Sequence, residues 1–105
     1  MPKADAMARV FKVLSSGTRV RMIELLKQKP LCVNALARKL DITPAAVSQH
    51  LRVLRDADLV VAEKRGYFVH YQLNQKTLCQ CRENVQKLLV LDEQRPAKCQ
   101  DHKKP

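Results

Sequence analysis

Thr43-Pro44 restricts this chain more than any other pair of neighbours. A threonine hydroxyl can accept from an orphan N–H in the first turn of a helix, and proline one place on lacks an N–H and has its φ already helical. A helix is therefore predicted to begin there. Val47, Leu51 and Leu54 follow at helical spacing and give it one apolar face. Its other face carries Ala45, Ser48, Gln49, Arg52 and Arg55. These are small, amide and guanidinium groups, the types that read base edges and grip phosphates in the major groove of duplex DNA.

The surrounding pattern supplies a frame for that helix. Met7, Val10, Phe11 and Leu14 form an apolar stripe that Ser15, Ser16 and Gly17 end. Thr18 is the expected cap of a second helix through residues 19–28, with Met22, Ile23 and Leu26 on one face and Pro30 as its stop. Residues 31 and 32 read as a connection. Val33, Leu36, Ala37 and Leu40 repeat the helical stripe before a break at Asp41-Ile42. Past the Thr43-Pro44 helix, Leu59–Ala62 and Tyr67–Leu73 read as two strands joined by Glu63-Lys64-Arg65-Gly66. Tyr67, Val69, Tyr71 and Leu73 alternate, and that face is expected to pack on the helices. Lys64 and Arg65, at the tip, then reach phosphates or the minor groove as a DNA-binding wing would. A last helix over 76–91, capped by Asn74 or Thr77, carries Leu78, Cys81, Val85, Leu88 and Leu89 on one face. That stripe exceeds what a small domain needs for itself and marks a dimer interface. The expected fold is mainly α with a small β-hairpin wing.

With 105 residues the chain has room for one domain. Residues 1–91 are expected to form the DNA-binding and dimerisation unit, and 92–105 a mobile C-terminal tail carrying Cys99. The net charge is +10, and residues 1–40 hold nine Lys or Arg against two Asp or Glu. The excess thus lies in the folded body and favours a polyanionic partner. No apolar run is long enough to span a membrane, and charges interrupt the opening MPKADAMARVFK, so a cytoplasmic protein is expected. Only four aromatic residues make base stacking on single-stranded RNA a poor fit. The three histidines are scattered and supply no nucleophile–base constellation, so the chain does not read as an enzyme. A structural zinc module, the alternative from another class, would show Cys-x-x-Cys knuckles, which are absent.

The stretch LSSGTRVRMIELLKQKPLCVNALARKLDITPAAVSQHLRVLRDADLVVAEKRGYFVHYQL, residues 14–73, resembles the ArsR/SmtB family of winged-helix, metal- and thiol-responsive bacterial repressors. Thr18-Arg19 with Ile23 and Leu25-Leu26, Leu31-Cys32-Val33, the run from Ala46 to Leu51 with Leu54-Arg55, and Gly66 to Tyr71 carry the likeness. The resemblance implies a winged helix-turn-helix homodimer, four helices followed by two strands and a fifth helix. It further implies the third and fourth helices as reading head, the first and fifth at the dimer interface, a palindromic operator, and release by an inducer. On that basis Ala45, Ser48, Gln49 and Arg52 are assigned to bases or their immediate surroundings, and Thr43, His50, Lys64 and Arg65 to the phosphate backbone. His50 has a second reading as a packing residue beside Leu51.

For the inducer, this chain departs from the family pattern. Arsenic-sensing members often carry Cys-x-Cys and a further Cys near the third helix, where this chain has Cys32 but Asn34 and Ala37. The positions matching the zinc site of the last helices are Gln75, Thr77, Leu88 and Leu91, none a good zinc ligand. Cys79, Cys81 and Cys99 remain as a three-sulfur site for trivalent arsenic or antimony, or another soft ion, with no cofactor required for folding. Cys79 and Cys81 point about 200° apart on a regular helix, so sharing one ion needs an unwound first turn or separate partners. In the alternative, a thiol redox or persulfide switch, Cys32 pairs with a cysteine of the last helix.

Overall fold

A computed structural model describes residues 2–91. Helix α1 spans Pro2–Val13, α2 Gly17–Leu26, α3 Val33–Leu40, α4 Pro44–Asp56 and α5 Gln75–Leu89. Strand β1 is Leu31–Cys32, β2 Val60–Arg65 and β3 Phe68–Leu73. The strands make one antiparallel sheet in the order β1-β3-β2.

Local chemistry explains the starts and stops. Ser16, not Thr18, caps α2: its hydroxyl accepts from the Arg19 N–H at 3.3 Å, so the helix begins earlier than expected. Thr43 caps α4 as predicted, its Oγ1 accepting from the Ala46 N–H at 3.0 Å with Pro44 in the first turn. The ends of α3 and α4 close alike. Asp41 (φ 56°) and Asp58 (φ 61°) sit in the left-handed region. Behind them the Ile42 N–H donates to the Ala37 carbonyl at 3.1 Å and the Leu59 N–H to the Leu54 carbonyl at 2.9 Å, the closure of a Schellman turn. Such a turn reverses the chain within two residues, which lets a short α3 lead at once into α4.

The connection expected at residues 31 and 32 is a third strand. Two residues are too few to show alternation, and what makes them a strand is non-local pairing with Tyr71 and His70. The hairpin is also longer than predicted. Glu63, Lys64 and Arg65 belong to β2, and the turn is Gly66-Tyr67, with Gly66 at φ 63° as the first central position of a type II′ turn requires. Tyr67 is consequently 99% exposed and Val69 exposed; of the alternating set, Tyr71 and Leu73 pack on the core.

Met22 and Leu26 of α2, Leu36 and Leu40 of α3, Val47, Leu51 and Leu54 of α4, and Leu31, Leu59 and Val60 bury their side chains in one core. These are the apolar faces that helical spacing marked. No residue of α5 is buried, and Leu88, Leu89, Val90 and Leu91 at its end are exposed, Leu89 by 70%. Phe11 of α1 is exposed too. Among the described residues no helix is long and apolar enough to cross a membrane.

Candidate functional site

The core side of α4 fixes which side faces out. With Val47, Leu51 and Leu54 buried, Ala45, Ser48, Gln49, Arg52 and Arg55 are all exposed. None of these five side chains is held in a hydrogen bond to another described residue, so the donors and acceptors of Ser48, Gln49 and Arg52 are free for a base edge. Thr43 lies exposed at the same end; its oxygen accepts the cap bond, and its O–H still has a proton to donate to a phosphate.

His50 joins the two readings that its position in the sequence allows. Its Nδ1 lies 3.2 Å from Nη1 of Arg19. A guanidinium only donates, so Nδ1 accepts and the proton of the neutral ring sits on Nε2, which remains available as a donor. Arg19 is itself anchored, its Nε donating to the Val13 carbonyl at 2.7 Å at the end of α1. One arginine thus ties the end of α1 to α4. Nothing in the spacing of residues 19 and 50 signals this pair; it exists because the fold brings Arg19, in the first turn of α2, beside His50 of α4.

Burial first, and then the charge of Arg19, push the His50 pKa below the ordinary histidine value of 6.5. The unfolded chain therefore takes up a proton here that the folded chain refuses. The stabilising contribution is complete above pH 6.5 and is lost as pH falls from there through the lowered folded value. Thermal melts at constant ionic strength should show a loss of midpoint between pH 7 and 5 that is smaller in His50→Gln. An identical pH profile for the variant would rule out this source.

On the wing, Lys64 and Arg65 are exposed on opposite faces of β2. Arg65 pairs with Glu63, Nη2 to Oε1 at 3.1 Å and Nε to the same oxygen at 3.3 Å. Both side chains are about half exposed, and an ion pair of that kind is worth about 0–1 kcal/mol, too little to withhold Arg65 from a phosphate.

The cysteines fall in three places. Cys32 is half-buried in β1, while Cys79 is exposed and Cys81 half-buried on α5. Asn74 caps α5, its Oδ1 accepting from the Thr77 N–H at 3.3 Å, so both cysteines stand in continuous helix and not in a loose first turn. Cys81 packs against the core, and burial pushes its thiol pKa up. It also lines a cavity of about 230 Å³ between α1, α5 and the end of α4, with Met7, Val10, Phe11 and Val85 around it. Cys99 and the remainder of the tail lie outside the described residues. Among the described residues no three His, Cys, Asp or Glu side chains are grouped to hold a metal ion.

Three helices leading to an exposed, capped helix, followed by a basic hairpin, define a winged helix-turn-helix regulator. Residues 16–61 match the model of the arsR family of bacterial regulatory proteins. The transcriptional repressor SdpR of Bacillus subtilis is 32% identical over 72 residues, covering 69% of this chain and 80% of that protein. The arsenical resistance operon repressor of Escherichia coli is 37% identical over 67 residues, 63% of this chain and 57% of that protein. A homodimeric winged helix-turn-helix domain from Mycobacterium bovis, solved by NMR, superposes with a TM-score of 0.68 at 28% identity, covering 81% of this chain and 79% of that one. The chain belongs to the ArsR family of transcriptional regulators.

Proposed function

We propose that this protein is a homodimeric cytoplasmic repressor that binds a palindromic operator and leaves it when trivalent arsenic, or another thiophilic ion, binds its C-terminal cysteines. The observation that carries the DNA-binding part is the exposed face of α4, where Ser48, Gln49 and Arg52 stand free beside the Thr43 cap. These residues read bases, with Ala45 small enough to allow close approach. Thr43, His50 through Nε2, Lys64 and Arg65 hold the phosphates. The exposed apolar end of α5, with Phe11 of α1, supplies the surface that a second copy covers, and the Mycobacterium bovis domain supports that assembly by being homodimeric. A two-fold pair of α4 helices spaced by about one turn of DNA, 34–36 Å, matches a palindrome.

The thiophilic-ion reading is supported by the arsenical-resistance repressor among the relatives and by the soft donor set of Cys79, Cys81 and Cys99. Cys79 offers its sulfur to solvent, and the sequence supplies a second sulfur at Cys99. Adding Cys81 means turning its sulfur out of the core, which opens the first turns of α5. Because α5 also carries the dimer surface, that opening passes the signal to the spacing of the two α4 helices.

Fluorescence anisotropy on a duplex from the gene's own upstream region tests this. Lys64 and Arg65 from two protomers place four cationic groups on phosphates, so log affinity should fall against log salt with a slope of roughly −4. Arsenite should release the reduced protein, and Cys79→Ser should block release without weakening DNA binding. No binding at low salt would end the repressor reading; release of Cys79→Ser at the wild-type arsenite concentration would remove Cys79 from the ligand set.

A further inference from the structure

We propose that Tyr67 is a wedge: its ring enters the minor groove beside the α4 contact and parts one base step in each half of the operator. This rests on DNA binding by α4 and the wing, and adds a residue that selects sequence by how easily a step unstacks. Tyr67 is 99% exposed, and Phe68 next to it 58%. An aromatic ring left wholly in water forgoes one of the largest burial gains a side chain offers, so packing does not account for it. Turn chemistry does not account for it either. Gly66, at φ 63°, takes the first central position of the turn, and the second, where Tyr67 stands, is ordinarily filled by Asn, Asp or Ser.

The ring sits where a wedge can act. Strand β2 is buried only at Val60, and Val61 to Arg65 stand clear of the core. At about 3.3 Å per residue the tip therefore projects roughly 15 Å. Directly behind it Lys64 and Arg65 are exposed on opposite faces of the strand, and Phe68 lies opposite Arg65 in the register. An apolar tip flanked by two cations matches a groove whose floor is base edges and whose walls are phosphate chains. With α4 in the major groove, the neighbouring groove is the minor one, about 6 Å wide, which is too narrow for the hairpin but admits a ring entering edge-on.

Apolar side chains inserted there partly unstack one step and kink the duplex toward the major groove. Unstacking costs least at TA and CA/TG steps, so the wedge favours operators that carry such a step under the tip. Stacking of the ring on the uncovered base offsets that cost, and no hydrogen bond to a base edge is needed. Tyr67 thus confers a preference different in kind from that of Ser48, Gln49 and Arg52, which stand free for base edges.

The test uses full-length reduced protein and a duplex from the gene's own upstream region, with each adenine replaced in turn by 2-aminopurine, whose fluorescence rises when its stacking is lost. Every TA and CA step contains an adenine, so the scan covers the steps that a wedge favours. Anisotropy of an end label in the same cuvette reports binding. At saturation one position in each half of the duplex should brighten. Tyr67→Asn, which gives the turn a residue type it prefers, should still bind, with the brightening lost and the salt slope unchanged because no cation has been removed. Tyr67→Phe should keep the brightening. Changing the brightened step to GC should weaken the parent protein several-fold and leave Tyr67→Asn indifferent. Binding without brightening, brightening that survives Tyr67→Asn, or equal weakening of both proteins by the GC step overturns the wedge and leaves the repressor reading standing. No binding at low salt ends both.

Discussion

Leu54→Ala should cost the fold about 2–5 kcal/mol, the range for truncating a fully buried leucine where the surroundings collapse only in part. Leu54 has no exposed surface, and it belongs to the turn of α4 whose carbonyl receives the Leu59 N–H at 2.9 Å. Removing its side chain therefore loosens the core at the point where α4 turns into β2. Each kcal/mol moves the midpoint of a domain this size by about 4–8 °C, so the loss should be plain in a thermal melt. Urea titrations at one protein concentration measure it directly, since the proposed dimerisation would make apparent stability concentration-dependent. Ser48→Ala, on the exposed side of the same helix, should change stability by no more than about 0.5 kcal/mol. Equal losses in the two variants would mean that α4 is not packed by the face described above.

That contrast between the two sides of α4 is readable in the sequence because it rests on local rules. Thr43-Pro44 fixes the first turn by hydrogen-bond chemistry, and the spacing of Val47, Leu51 and Leu54 fixes the buried face, both within thirteen residues of helix. The reading surface follows as what remains. Features that local spacing does not reveal depend on residues far apart in the chain. The strand status of Leu31-Cys32 depends on β3, some forty residues later, and the Arg19–His50 bond on the fold bringing the start of α2 beside α4. The cap of α2 escapes a local reading for a different reason: Ser16 and Thr18 can both cap, Ser the better of the two, and the bond from the Arg19 N–H to the Ser16 hydroxyl selects the earlier start. For the cysteines of α5, Asn74 and Thr77 are both chemically able to cap, with opposite consequences for Cys79; the bond from the Thr77 N–H to Asn74 selects the continuous helix.

The second large effect concerns Arg52 and Gln49, and it falls on binding where that of Leu54 falls on folding. Both side chains are exposed, so Arg52→Ala and Gln49→Ala should melt as the parent does. Their loss should appear on DNA. A good bidentate contact to a base is worth about 1–3 kcal/mol, and the proposed two-fold dimer makes it twice, so each variant should bind its operator roughly 30- to 25,000-fold more weakly. Affinity for an unrelated duplex at the same salt should hardly move for Gln49→Ala, because an amide contributes no counterion release. Lys64→Ala gives the complementary pattern: taking one cation per protomer away from the phosphates weakens operator and unrelated DNA alike and makes the salt slope shallower by roughly 2. Comparing these patterns separates reading from holding, which a single affinity on one duplex does not. If Gln49→Ala weakened both duplexes equally, α4 would be gripping the backbone, and sequence preference would have to arise from DNA shape or from the wing, where Tyr67 stands 99% exposed at the tip.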